Sequence, residues 1–546
     1  MRILPFRLPG VLFVLLSTSG ALAQPFIPPK SIVNAASYMP PGIPGGALAR
    51  GSMFSIFGRN LGPAAPAQVS AFPLGASFQG VSIRVTQGAR SVDVLPVYVS
   101  ATQINAILPS NAPVGLASLQ VTYNGARSNQ APLRIATNSP GLFTATGYGA
   151  GPGIFQNYVS ATEQPINSAL DSVKPGQLVT LWGTGLGPIA AADNIAPPVG
   201  NVPVDVAIWV GNKAVSRILY SGRAPCCSAV DQIVFEVPAD APEGCFVPVQ
   251  LKAGDAVSNT VTMAIRKEGG ACVDSSNPLS TALAAGKKTG LGLVTRVQMR
   301  ADTSVATNRD FTGDFASLFL NQAAGMPFAY DPILSLPPEG ACSTYTANGD
   351  LMGGGGLLRV TGAALNAGAL TVTGSRGPLP VTGTTLVGLS GELPGTADLP
   401  LFLDSGNVTL RGAGGADVAA FSVSLAPAAA LTWSNRDSFN LVDRNTPLTL
   451  RFTGAGSRSV LVGGIGVDLP TNASAMFLCS VPAGAESFTV PAIFTANFPA
   501  ARTRILSSPG VLFVGVMSER RSLEAAGLDA AAAQSMHIQS KTVIYR

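Results

Sequence analysis

The chain has 546 residues, of which 47% are apolar and only 12% charged, and its formal net charge is +5. A charged helical bundle needs far more Glu, Lys and Arg, and a disordered chain carries less apolar surface. A single histidine removes most His-dependent chemistry, and the scattered lysines and arginines lack the clustered basic face that nucleic acid requires.

The N-terminus reads as a secretory signal over residues 1–23. Arg2 and Arg7 are its basic end, residues 11–16 its apolar core, and Ala21-Leu22-Ala23 a small-x-small cleavage site. No later segment reaches about 18 uninterrupted apolar residues, so the mature chain is expected to lack a transmembrane helix. The expected location is the extracellular space or cell surface, with the periplasm as the alternative.

An internal repeat follows. Gly51-Ser-Met-Phe-Ser-Ile-Phe-Gly58, then Leu61-Gly62-Pro63, aligns with Gly176-Gln-Leu-Val-Thr-Leu-Trp-Gly183, then Leu186-Gly187-Pro188. Further on, Gln103-Ile104, Leu108-Pro109 and Ser128-Asn129 meet Gln232-Ile233, Val237-Pro238 and Ser258-Asn259. The spacing grows in the second copy within a stretch holding Arg223-Ala-Pro-Cys-Cys-Ser228. Each copy reads as short strands: 53–57, 81–85 and 119–123 in the first, 178–182, 204–208 and 247–251 in the second. Asn124-Gly125 is a two-residue hairpin signal. Short strands with turns every 8–12 residues predict an immunoglobulin-like sandwich for residues 31–137 and another for 138–267.

Four motifs carry a resemblance: Ile32-Val-Asn-Ala-Ala-Ser37, the Gly51 to Pro63 segment, Val99-Ser-Ala-Thr-Gln-Ile-Asn105 with Leu108-Pro109, and Pro140-Gly-Leu-Phe143. Together they resemble a large uncharacterised family of secreted proteins in Solibacter-type acidobacteria. The strand pattern is also similar to IPT/TIG immunoglobulin-like domains, and the match runs from residue 31 to about 267. The resemblance implies adhesion, spacer or scaffold modules, and it carries no catalytic residues over.

The six cysteines are Cys226, Cys227, Cys245, Cys272, Cys342 and Cys479. An even number in an exported chain predicts disulfides. A bridge between neighbours distorts the peptide, so Cys226 and Cys227 are expected to pair separately with Cys245 and Cys272, in an order left open. That leaves Cys342 with Cys479. Without CxxC spacing or a nearby histidine, a zinc site is not expected.

Residues 268–289 read as a linker and 290–546 as a larger C-terminal β region, either one sandwich, jelly-roll-like, or two packed small ones. Strands are expected at 357–360, 370–373, 408–411, 448–452, 511–516 and 542–545. Residues 522–533, rich in alanine and led by Ser522, read as a helix. Segments 416–421, 431–433 and 487–491 are similar to parts of the same exported proteins. The glycines at 353–356 lack the Gly-Lys-Ser/Thr of a phosphate loop and read as a turn.

Candidate chemistry is sparse. His537 reads as structural or surface, without a Gly-x-Ser-x-Gly elbow to serve. Paired carboxylates could support glycoside hydrolysis, and Glu392, Glu486 and Glu519 are the candidates, though no two share a strand. Asp310 and Asp314 read as a solvated loop, not a calcium site. Trp182, Trp209 and Trp433 read as core. The sequence thus predicts an all-β, exported, non-enzymatic interaction, adhesion or scaffold protein without cofactor or metal. Its partner would be an extracellular polysaccharide or a surface protein. The alternatives are a glycan-binding protein and a glycoside hydrolase with a catalytic C-terminal region.

Overall fold

Alternating apolar residues place the protein in the all-β class, and the computed structural model bears this out for residues 24–275, 277–302, 307–323, 327–348, 362–391, 398–500 and 510–546. The signal segment 1–23, the 353–356 glycines, the strand expected at 357–360 and Glu392 lie outside the described residues.

In the first repeat, Val81–Gln87 buries Val81, Ile83 and Val85 and turns the residues between them outward, as a half-buried strand must. One long strand, Arg90–Val99, pairs through its first half with Val81–Gln87 and through its second with Gln103–Ile107. It thereby joins both layers into a single 11-stranded sheet around a core that includes Phe54, Ile56, Ile104 and Val121. Asn124 and Gly125 both take positive φ, 47° and 84°, giving the expected hairpin between Gly115–Tyr123 and Ala126–Arg127.

The second repeat has two five-stranded sheets instead. The counterpart of the long strand is split into Lys213–Ala214 and Ile218–Arg223. The shared motifs make the same bonds in both copies. Gly51 N donates to Leu108 O and Gly176 N to Val237 O, with φ of +69° and +79° at the two glycines. Ser128 Oγ accepts from Val121 N at 3.0 Å, and Ser258 Oγ from Leu251 N at 3.0 Å. Asn129 clamps the backbone of Ile27, and Asn259 that of Leu142. The repeat is therefore a set of repeated polar clasps as well as a repeated apolar pattern.

Polar side chains close the junctions. Between the repeats, Arg223 Nη2, which also bonds Gly187 O of its own sandwich at 2.5 Å, donates to Gly51 O at 2.6 Å, and Asn34 Nδ2 donates to Ser139 O at 3.1 Å. Between the second repeat and the C-terminal region, Asn497 Nδ2 donates to Val257 O at 2.9 Å and Asn212 Nδ2 to Gly340 O at 2.7 Å. Trp209 and Val257 of the second repeat pack against the C-terminal core.

Among the described residues, the C-terminal region is one 11-stranded sheet covered by two small ones. A four-stranded sheet, Leu370–Gly374 to Phe421–Leu425, closes a core around Val372, Phe402 and Leu410. A three-stranded sheet, with Leu448–Thr453 at its centre, closes another around Leu450, Phe477 and Tyr545. The chain segment expected as a linker carries a helix, Pro278–Ala284, whose N-cap Asn277 accepts from Ser280 N.

The helix expected over 522–533 is not formed. Arg521–Ser522 is a short strand, and Ala530–Tyr545 is a long central one, parallel to Lys288–Ala301 and antiparallel to Gly510–Met517. The alanines answer a packing demand. Ala531 and Ala533 stand opposite Gly290 and Gly292, where an added Cβ would lie 2.9 and 3.2 Å from theirs. Strand pairing here outweighs the helix propensity of alanine, worth under about 1 kcal/mol per residue.

The disulfides correct one expectation. Cys245 pairs with Cys272 and Cys342 with Cys479, the latter directly opposite across two strands. Cys226 and Cys227 pair with each other and not with Cys245 or Cys272. The reason is position. The Cys226–Cys227 loop follows Arg223, which reaches the first repeat, whereas Gly244, beside Cys245, faces Pro338 and Asp274. The two groups of cysteines sit at opposite junctions of the second repeat.

Candidate functional site

The densest set of chemistry-bearing side chains lies on the C-terminal sheet. Arg296, Gln298 and Arg300 alternate along Lys288–Ala301 and so share one face. Asp314, Thr312 and Asp310 stand directly opposite on Arg309–Ala323, and His537, Gln539 and Lys541 on Ala530–Tyr545. The result is a polar grid of three strands. It lies where the chain crosses from the four-stranded cover to the three-stranded one. Leu431 N donates to His537 Nδ1 at 3.2 Å, Trp433 N to Gln539 Oε1 at 2.7 Å, and Lys541 Nζ to Asp437 O at 3.2 Å.

The charges are paired. Arg296 holds Asp314 through two bonds of 2.8 Å and reaches Asp404 at 2.5 Å. Arg300 holds Asp310 at 2.7 and 3.0 Å and Asp437 at 2.8 Å. Asp314 is fully buried and also accepts from Phe402 N and Leu403 N at 2.7 and 2.8 Å. Hydrogen bonding from Arg300 holds the Asp310 carboxyl below its ordinary value, against a smaller opposing effect of burial. Burial, then the charge of Arg296, lowers the His537 imidazole below its ordinary 6.5. Since Nδ1 accepts from a backbone amide, the neutral ring carries its proton on Nε2. A cavity of about 140 Å³ beside the grid is lined by Arg296, Gln298, Leu403, Pro427, Ala428, Ala430 and His537.

This geometry revises the reading of Asp310 and Asp314. They lie in a strand, not a solvated loop, and their carboxylates serve arginines. Phe311, Gly313 and Phe315 alternate with them, so the period of two was present in the sequence. His537 is buried at 4% exposure, within the structural reading. Glu486 and Glu519 sit exposed on separate elements, before Ser487–Val490 and after Gly510–Met517. Trp433 is core, with its Nε1 on Asn435 Oδ1 at 2.9 Å. Trp182 is only half-buried and bonds Gln156 Oε1 at 2.9 Å. Sequence reasoning missed Arg296 and Arg300, although their alternation with Gln298 repeats the signal of the facing aspartates. It also missed Asp404 and Asp437, which only the tertiary fold brings near. Among the described residues no group of three His, Cys, Asp or Glu is placed to hold a metal ion.

A second buried charge pair sits at the junction of the repeats. Arg223 and Asp231 are each about 1% exposed and bond each other, and Leu186 N donates to Asp231 at 2.7 Å. Burial raises the Asp231 carboxyl, while Arg223 and the amides of Leu186 and Gly185 work against that rise.

No family model matches the sequence, and no curated protein matches it. Among solved structures, domains 5–6 of the S-layer protein SbsC are 10% identical, with 44% of this chain and 98% of that chain covered and a TM-score of 0.17. SGBP-B from a xyloglucan utilization locus of Bacteroides uniformis is 10% identical, with 95% and 100% covered and a TM-score of 0.16. Titin domains A168–A170 are 8% identical, with 68% and 89% covered and a TM-score of 0.13. Likenesses this distant carry no functional argument. Three disulfides join the six cysteines, and among the described residues no helix is long and apolar enough to cross a membrane.

Proposed function

We propose that the protein is an exported, non-enzymatic interaction or scaffold protein of the cell surface or extracellular space. The observation that carries this reading is the construction of the two junctions. The buried side chains of Arg223, Asn34 and Asn497 and the half-buried Asn212 bond backbone across them, so the two sandwiches and the C-terminal region hold fixed directions relative to one another. Fixed spacing of loops and sheet faces is what a presenting or spacing module needs. Disulfides persist in oxidising compartments, which supports export, as does the signal segment read at 1–23. The acids of the C-terminal grid are engaged by arginines, which favours a structural role for them over proton transfer. Membership in the acidobacterial secreted family belongs to the same proposal, and its partner class is an extracellular polysaccharide or a surface protein.

The test is binding of the purified mature chain to polysaccharides and to cell-envelope fractions, with product release followed on the same glycans. Selective binding without product is the expected outcome. Released sugar overturns the non-enzymatic reading and directs substitution to Glu392, Glu486 and Glu519.

A further inference from the structure

The outward face of one sheet repeats between the two sandwiches in its side chains as well as its backbone. In the second sandwich, Trp182 stands directly opposite Gln232, and one row along, Gln156, Thr180, Val234 and Tyr220 face each other across four strands. In the first, Phe57 stands opposite Gln103, and Ser55, Asn105 and Tyr98 form the matching row. The core-facing neighbours, Val179, Leu181 and Phe235 in one copy and Phe54, Ile56 and Ile104 in the other, are fully buried, which puts these aromatic and amide side chains on the far side.

A β-bulge falls at the same place in both copies, between Pro96 and Tyr98 and between Ile218 and Tyr220. In each it shifts the register so that the tyrosine joins the outward row, the re-aiming that bulges produce. A sheet that served only as a cover has no reason to keep a half-exposed aromatic, an opposed glutamine and a bulge-directed tyrosine in both copies.

We infer that this face is a saccharide-binding platform present in each sandwich, and that its ligand is an uncharged polysaccharide chain. The inference rests on the interaction reading above. Aromatic rings offer an apolar surface to the C–H face of a sugar, and amides both donate to and accept from neighbouring hydroxyls. Charge decides between neutral and acidic glycans. Trp182, Gln156, Thr180, Val234, Tyr220 and Gln232 carry none, and Glu236, farther along its strand, is engaged by Arg217 at 2.8 Å. Ser55 and Thr180 in mid-row are buried beneath their larger neighbours, which leaves the half-exposed aromatic and amide side chains as the contact surface. The second copy is the more open. Tyr158, beside its row, is 43% exposed, whereas Tyr38 packs on Phe57 in the first, with ring centres 6.2 Å apart.

The test uses the mature full-length chain against three neutral polysaccharides, mixed-linkage glucan, galactomannan and dextran, with alginate as the acidic comparison. Binding is read by affinity electrophoresis and by tryptophan fluorescence. At least one neutral chain binds. Trp182→Ala weakens it by about tenfold, as loss of a central aromatic anchor does, and adding Phe57→Ala removes it. Trp182→Phe, which preserves folding, keeps measurable binding but loses the ligand-induced fluorescence change, because Trp433 is core and Trp209 lies in a junction. Gln232→Ala weakens binding without shifting the melting temperature. Undiminished binding in Trp182→Ala and Gln232→Ala overturns this site and leaves a polysaccharide-binding protein. Binding to alginate alone, or to no polysaccharide, overturns the ligand class. In that case, binding to a purified envelope protein free of glycan leaves the interaction reading standing, and no binding of either kind sinks both.

Discussion

The two sandwiches share their polar clasps and differ in one strand. In the first, Arg90–Val99 runs unbroken and ties both layers into one sheet. In the second, the corresponding stretch breaks, the layers separate, and the loop after Ile218–Arg223 carries the buried pair Arg223–Asp231 and the Cys226–Cys227 bridge. That loop is also the junction. Ala229 packs with Leu74 and Ile107 of the first copy, and Ser228 Oγ donates to Asp193 O while Asp193 accepts from Ser110 N and Oγ. The difference teaches that the segment lengthened in the second sandwich adds a buried charge pair and a packed loop to its junction with the first, while the motifs that hold each sandwich together stayed the same.

If so, the largest effect should come from the element present in one copy only. Arg223→Ala leaves Asp231 buried without its cation and should cost about 3–5 kcal/mol in urea unfolding. The exposed pair of the first copy, Arg84 and Asp93, gives the reference, and Arg84→Ala should cost no more than about 1 kcal/mol. The linkage sharpens the test. The Asp231 carboxyl already lies above its ordinary value, and without Arg223 it rises further. A raised carboxyl penalises the folded state above the unfolded pKa, and that penalty fades as pH falls. The deficit of Arg223→Ala should therefore shrink on acidification, and a deficit that grows instead would remove the buried-charge account.

The shared clasps should behave alike, and more modestly. Asn129→Ala and Asn259→Ala should each cost about 1–3 kcal/mol, since each leaves buried backbone groups unpaired. Asn259 should cost more, because it also donates to Gly149 O at 2.8 Å. Amide exchange at Ile27 and Leu142 checks this locally, and protection lost at only one of the two amides would break the equivalence of the copies.

Acid offers a way to separate both sandwiches from the third region. Residues 31–267 hold no histidine, and His537 lies in the C-terminal grid. Its folded pKa is below the unfolded 6.5, so the unfolded chain binds the extra proton and stability falls as pH drops through about 6.5. His537→Gln should flatten that slope and leave stability at pH 8 nearly unchanged. An unaltered slope would place the acid response elsewhere.

The sequence made the sandwiches legible because their motifs fall where the backbone itself is constrained. Gly51 and Gly176 sit at positive φ, Asn124-Gly125 makes its turn, and Ser128 and Ser258 close clasps on amides only 7 residues back in their own sequence. The C-terminal grid was harder. Arg296 and Asp314 alternate visibly along their own strands, but Asp404 and Asp437 reach the grid from covers whose placement no local pattern encodes. Residues 522–533 misled for the same reason. Alanine favours a helix locally, and the need for small side chains opposite Gly290 and Gly292 exists only once three strands have met. The aromatic platform was hidden by the half-burial of Trp182, since a residue following apolar Leu178, Val179 and Leu181 reads as core until the strand's facing is known.

The smallest effect should come from the bridge between neighbours. Disulfides stabilise mainly by removing freedom from the unfolded chain, and they do so more for longer loops. Cys226 and Cys227 are adjacent, so their bond closes no length of chain, and Cys226 is exposed. The double variant Cys226→Ser, Cys227→Ser should stay within about 0.5 kcal/mol of wild type, as surface substitutions do. The junction offers a finer reading. Ala229 takes φ of +60°, and its carbonyl accepts from Thr184 Oγ1, which in turn accepts from Met53 N of the first sandwich. If the bridge only decorates the loop, exchange at Met53 N should be unchanged in the double variant. If exchange there quickens while global stability holds, the bridge fixes the loop for the sake of its partner, and the lengthened segment owes its junction role to the cysteines as well as to Arg223.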